Sequence, residues 1–306
     1  MSASHAPAAR ALGARTLAAA TAASILALGA YACGDDATAP GLRRVYGAPV
    51  AVGAGHARSY VVIDDAPGGG PAEFGVALDE GALQGLPAPK AMAPGGDPHA
   101  HVDTHEHLLP LPAENPTGYK LVSLDWNPGG HEPPGVYDVP HFDFHFYTVA
   151  KAERDAIDPA ALGGPAYAAK STAFPAPAQV PGGFVALSAP GTAPVAVPRM
   201  GVHWSDLNAP EIQAMLGHPE KAKPFTTTFI HGSWDGRFIF HEPMVTRAFL
   251  LGRKDATAAA ARDSVMPLAP AAAYAAPGYH PTAYRVQYDA AAREYRVALS
   301  KFARHD

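Results

Sequence analysis

Pro140-His141-Phe142-Asp143-Phe144-His145-Phe146-Tyr147 alternates polar and aromatic residues without a break. A period of two puts His141, Asp143 and His145 on one side of an extended chain and Phe142, Phe144 and Phe146 on the other. On a helix His141 and His145 would be neighbours, but three phenylalanines, a tyrosine, a threonine and a valine favour a strand. The run therefore predicts a strand whose aromatic side enters a core. Its His-Asp-His side, if also enclosed, needs partners, because a buried polar group without one costs about 1–3 kcal/mol.

Shorter pieces of the same kind lie on both sides. Arg58–Asp64 and Glu73–Leu78 flank a Pro-Gly turn at 67–71 and read as a hairpin. Thr104–Leu111, Tyr119–Trp126 and Tyr137–Val149 are further strands, followed by short ones at Phe184–Ser188, Val195–Val197 and Met200–Trp204. Asp235-Gly236 between Phe225–Gly232 and Arg237–His241 is a strong hairpin signal. Tyr284–Tyr288 and Tyr295–Leu299 form a terminal hairpin. Short helices are expected at 79–86, 150–157, 209–216 and 245–251, with 158–182 as a long surface excursion and 255–280 as an Ala-rich loop. The 30 glycines and 32 prolines suit strands joined by turns better than long helices. The fold class is mainly β, an antiparallel barrel or sandwich with a few short helices.

The first residues bear on compartment. Arg10 and Arg15 precede an uncharged run from Leu17 to Ala32, roughly 16 residues, where a membrane span needs about 20. The run ends in Ala30-Tyr31-Ala32-Cys33, which resembles a bacterial lipobox except that Ala30 stands where leucine is usual. Residues 1–32 are thus expected to be a lipoprotein signal peptide and Cys33 the lipidation site. Ordinary secretion is the alternative. Residues 33–45 read as a flexible tether and 46–306 as one β-rich domain. The expectation is an exported bacterial protein, membrane-anchored at the periplasmic or cell-surface side, whose partner is the membrane through a lipid anchor. Cys33 is the single cysteine, so no intrachain disulfide and no thiolate zinc site can form. A formal net charge of −5, with no Lys/Arg run longer than two, argues against nucleic acid.

The chain carries 15 histidines, and their clustering is the most informative feature. His141 and Asp143 are about 6.6 Å apart on a strand, whereas His141 and His145 are about 13 Å apart and strain to share an ion. Other segments must contribute: His131-Glu132, His203, His231 and His241-Glu242 are the candidates. Imidazoles plus a carboxylate, without thiolate, suit zinc, manganese, iron or copper rather than calcium, and zinc is the conservative choice. The metal-ligand candidates are His131, His141, Asp143, His145 and His203, meeting in one pocket. Glu132 is the candidate general base and Asp143 an alternative orienting partner. A metal-free hydrogen-bonded histidine network, or a metal-free acid–base site, would use the same residues. A further tract, His99, His101, His105 and His107, resembles a surface metal-binding stretch. No Gly-x-Ser-x-Gly, phosphate loop, dinucleotide fingerprint or His-Glu-x-x-His is present.

Leu124-Asp125-Trp126-Asn127-Pro128-Gly129-Gly130-His131-Glu132-Pro133, with Val136 to Tyr147, resembles an exported bacterial family of unknown function whose type member comes from a thermophile. Met200–Asp206, Gly232–Gly236 and Glu242-Pro243-Met244 look similar too, so the resemblance extends over most of 46–300. It implies a β-rich envelope protein and brings no activity with it. The function expected is a lipid-anchored protein with a His/Asp/Glu metal cluster, binding a ligand or assisting hydrolysis or hydration; the alternative is a structural or interaction domain.

Overall fold

The computed structural model describes residues 41–90, 103–187 and 196–306. Cys33, the expected signal segment 1–32, His99 and His101 lie outside these residues. Fifteen strands run through the described chain. They are β1 (Leu42–Tyr46), β2 (Val50–Val52), β3 (Gly55–Asp64), β4 (Pro71–Asp79), β5 (His105–Leu109), β6 (Leu121–Asn127), β7 (His141–Tyr147) and β8 (Phe184–Ala186). Then follow β9 (Ala196–Val197), β10 (Gly201–Asp206), β11 (Thr227–Trp234), β12 (Arg237–Thr246), β13 (Asp263–Pro267), β14 (Gly278–Asp289) and β15 (Glu294–His305).

They form two antiparallel sheets, not a closed barrel. The first has the order β1-β3-β4-β15-β14-β13, with β2 on β3; the second has β5-β6-β7-β12-β11-β10-β8, with β9 on β10. The terminal hairpin β14–β15 is inserted beside β4, so the last strand completes the sheet the first strands began. Each sheet buries one face against the other. Phe74 of β4 packs on Phe146 of β7 with ring centroids 5.5 Å apart, and Tyr284 of β14 packs on Phe229 of β11 at 5.3 Å. Phe142, Phe144 and Phe146 are fully buried there, each stabilising by about 1.5–3 kcal/mol. This is a sandwich.

The alternation read at 141–147 holds, but the strand is shorter than expected. Residues 137–140 turn away, because Pro133, Pro134, Gly135 and Pro140 interrupt the pairing. At the other end of the chain β1 pairs with β3 from Leu42, so residues 42–45 of the expected tether belong to the domain. The segment 158–182, expected as a long surface excursion, holds α2 (Pro159–Leu162) and α3 (Gly164–Thr172), after α1 (Lys151–Asp155). Both later helices begin with a proline at a position where its missing N–H costs nothing. β12 runs through Thr246, whose hydroxyl accepts from Phe249 N and caps α4 (Arg247–Asp255). The Asp235-Gly236 hairpin is present, with φ of 51° and 83°, the left-handed pair that a two-residue turn of this kind requires.

The second sheet's other face is also enclosed. Val136 and Tyr137 from the segment after β6, with Ala209, Ile212 and Phe225 from the segment after β10, pack onto Ile230 and Met244 of the sheet. This cap removes from water a face whose side chains are largely polar.

Candidate metal centre

Under the cap, β6, β7, β12 and β10 present Ser123, Asp125, Asn127, His141, Asp143, His145, Glu242 and His203 on one face. The register makes this so: Asp125 faces Asp143 and Asn127 faces His141, while Met244 faces Asp143 on the other side. The chemistry-bearing residues fall into two groups, each with one ligand-type atom per residue and all such atoms within 4.8 Å. The first is His131, His141 and Asp143; the second is His145, His203 and Glu242.

In the first group His131 Nε2 is 3.3 Å from Asp143 Oδ2 and His141 Nε2 is 3.1 Å from Asp143 Oδ1. In the second, His145 Nε2 is 3.4 Å from Glu242 Oε1 and His203 Nε2 is 3.8 Å from Glu242 Oε2. Ligand bonds of about 2.0–2.1 Å at tetrahedral angles separate neighbouring ligand atoms by about 3.3 Å. The spacing fits an ion in each group.

The sequence reading gathers four histidines into one pocket; the structure divides them into two pairs. His141 and His145 lie about 13 Å apart along one strand, so each turns to a different partner set. His131 enters from the cap and His203 from β10. Their side chains are 14% and 27% exposed, whereas those of His141, Asp143, His145 and Glu242 are at most 5% exposed. Each group is therefore closed on the sheet side and reachable through one histidine.

The rings are held from behind. His131 Nδ1 is 2.8 Å from the Glu132 carbonyl oxygen, and His141 Nδ1 is 2.7 Å from that of Val139. A carbonyl only accepts, so both Nδ1 atoms carry hydrogen and both Nε2 atoms face Asp143. Asp125 Oδ2 approaches His145 Nδ1 to 3.4 Å without a hydrogen bond, and Asp125 Oδ1 accepts from Ser123 Oγ at 2.8 Å. Asn127 Nδ2 donates to Asp143 Oδ2 at 2.7 Å. Carboxylates and carbonyls behind imidazoles are the usual means of aiming them at a metal. Gly232 contributes by absence: a Cβ there would sit 1.9 Å from the ring of Phe240, which packs edge-on against both His145 (5.0 Å) and His203 (5.5 Å).

Charge separates the groups. Burial would raise the Asp143 carboxyl, but the imidazoles of His141 and His131 hold it well below the usual range. Burial opposes protonation of His131, yet Asp143 outweighs it and the net shift is upward. A proton can thus partly stand in for a cation in the first group. In the second group the proton sits on the carboxyl rather than on the imidazole. Burial pushes His145 down to about 4, while burial and the neighbouring Asp143 and Asp125 charges push Glu242 up. Burial, then the charge of Asp143, also raises Asp125 to about 8. Three buried carboxyl groups on one face cost several kcal/mol each if ionised without a counter-charge.

Other candidates stand elsewhere. Glu132 is exposed and belongs to neither group; its carbonyl oxygen is what touches the site, through His131. His231 and His241 face each other across β11 and β12 on the opposite face, in the sandwich core. His105 and His107 lie on β5, and His105 approaches Asp103. Glu242 was one of several possible contributors from sequence and becomes the anchor of the second group. Asp125 and Asn127 escaped notice, although Ser123, Asp125 and Asn127 alternate on a strand as plainly as the histidines do.

The match to known proteins falls across this architecture. The family model described as TTHB210-like, hypothetical protein TTHB210, matches residues 68–126. The match bears out the resemblance to a family of unknown function, over a narrower span than 46–300. The TTHB210-like stretch runs from the turn before β4 into β6 and ends just after Asp125, before the ligand-bearing strand β7. No curated protein and no solved structure matches the chain significantly.

Proposed function

We propose that this protein binds divalent transition metal, zinc foremost, with one ion in each group. One observation carries the reading. His141 Nε2, Asp143 Oδ1, His145 Nε2 and Glu242 Oε2 are all buried and none has a hydrogen-bond partner, although oppositely charged or polar atoms stand within 3.8 Å. Buried polar atoms are almost always satisfied. These approach one another without lying in line for hydrogen bonds, as atoms do when they point at a common centre. Nitrogen and oxygen donors without sulfur suit zinc, manganese, iron or copper.

Three protein ligands per ion leave a fourth position for water or a ligand, the arrangement of catalytic rather than structural zinc. A zinc ion held by these residues would supply Lewis acidity. The chain's own part is to aim the rings, through Asp125 and the carbonyls of Glu132 and Val139, and to exclude bulk water with the cap. Metal-assisted hydrolysis or hydration is the reaction class this supports. We place it outside the cytoplasm, anchored through Cys33; mass spectrometry of the N-terminal peptide from membranes would show the lipid or an unmodified thiol.

Elemental analysis of the purified chain from metal-replete medium tests the central reading. Close to two equivalents of metal are expected. No stoichiometric metal, with the fold intact, would leave a proton-satisfied histidine network instead.

A further inference from the structure

We propose that Thr104 and Asn127 form a hydrogen-bonded relay that positions Asp143 for the first ion. The proposal rests on the metal reading above and adds two positioning residues to one of its two groups.

Asp143 is the carboxylate of the first group, and both histidines turn to it. His141 Nε2 stands 3.1 Å from Oδ1 and His131 Nε2 stands 3.3 Å from Oδ2. Whether an ion can be held there depends on how that carboxylate is rotated. Asn127, on β6 and 2% exposed, donates from Nδ2 to Asp143 Oδ2 at 2.7 Å. Oδ1 is buried and accepts no hydrogen bond, which leaves it for an ion.

A side-chain amide has one donating end and one accepting end. Thr104 decides which of them meets Asp143. β5 pairs with β6 from His105 opposite Trp126, so Thr104, one residue earlier, falls beside Asn127. Its hydroxyl donates to Asn127 Oδ1 at 2.7 Å. With the oxygen so engaged, the amide nitrogen faces the carboxylate. The neutrality of this donor matters. On the first sheet the carboxylates of Glu294 and Asp289 meet the Arg296 guanidinium, and the charges offset one another. Asn127 fixes one oxygen of Asp143 and leaves its negative charge for a cation.

Competition titration of zinc against a chelator, on the full chain, gives the test. Glu242→Ala is the background that retains the first group, and Asp143→Ala the one that retains the second. Asn127→Leu, close in size, weakens zinc in the first group about 10- to 100-fold and leaves the second unchanged. Thr104→Val keeps the shape without the hydroxyl and weakens it about three- to tenfold, the worth of one neutral hydrogen bond. Thr104→Ser restores wild-type binding. Should Asn127→Leu fail to fold, the two threonine variants carry the test. First-group binding as tight as wild type in Asn127→Leu or Thr104→Val overturns the relay and leaves the metal reading standing. So does equal weakening of both groups, the mark of a general loss of packing. A wild-type chain that takes up no zinc overturns the metal reading and the relay with it.

Discussion

The two outer faces of the sandwich are both polar and both partly buried, yet they are built differently. On the first sheet, Arg285 makes paired bonds of 2.7 Å to both oxygens of Asp263 and also meets Glu73. Arg296, 1% exposed, is pinned by Glu294, Asp289 and the Tyr46 hydroxyl. A cleft of about 810 Å³ opens there, but its lining guanidiniums of Arg285 and Arg296 are already engaged. On the second sheet His141 Nε2 and Asp143 Oδ1 face each other at 3.1 Å, and His145 Nε2 faces Glu242 at 3.4 Å, yet His141 Nε2, Asp143 Oδ1 and His145 Nε2 make no hydrogen bond. Burial of polar groups and the presence of a cleft do not distinguish a site from scaffolding. Several unpartnered ligand-type atoms gathered within 4.8 Å of one another do.

The sharpest way to break this comparison is to remove a carboxylate from each face. Asp143→Ala, or Glu242→Ala, is expected to take one of two metal equivalents with it, read by elemental analysis; retention of both would dissolve the distinction. Arg296→Met on the first sheet should cost about 1–3 kcal/mol in denaturant unfolding, by removing bonds to Glu294 and Asp289 that Arg58 and the backbone replace only in part, while metal content stays at two. Asp125→Asn leaves the ligands in place and removes the carboxylate behind His145, so the second ion should bind about 10- to 100-fold more weakly in a competition titration with the first unaffected.

The core between the faces offers the smallest effect. His231 has both ring nitrogens buried and unpartnered, and burial, then the nearby His241, holds its pKa well below the usual value. Its neutral form is thus favoured on folding: stability is full above the unfolded pKa near 6.5 and declines as pH falls below it. Between pH 6.5 and 5 the group accounts for a loss of about 2 kcal/mol. His231→Phe should flatten that slope, and an unchanged slope would assign it to other groups.

Much of this was legible in the residues. Alternation at 141–147 gave the strand, the aromatic core and the His-Asp-His face together, and strand rise alone kept His141 from sharing an ion with His145. Which distant residue joins which histidine depends on register between β7 and β12, and no local pattern encodes that. The cap was misread as strand because Tyr137 and Val139 look β-like, while the prolines around them decide. β13 was missed because it is an edge strand in an Ala-rich stretch, carried by pairing with β14 rather than by its own composition.

Residues 145, 203 and 242 lie far apart in the chain, while 131, 141 and 143 are near neighbours. Chain entropy lost on closing a loop grows with its length, so an ion in the second group constrains the unfolded chain more than one in the first. With a single cysteine in the sequence no intrachain disulfide can make such a cross-link, and an ion held in the second group would.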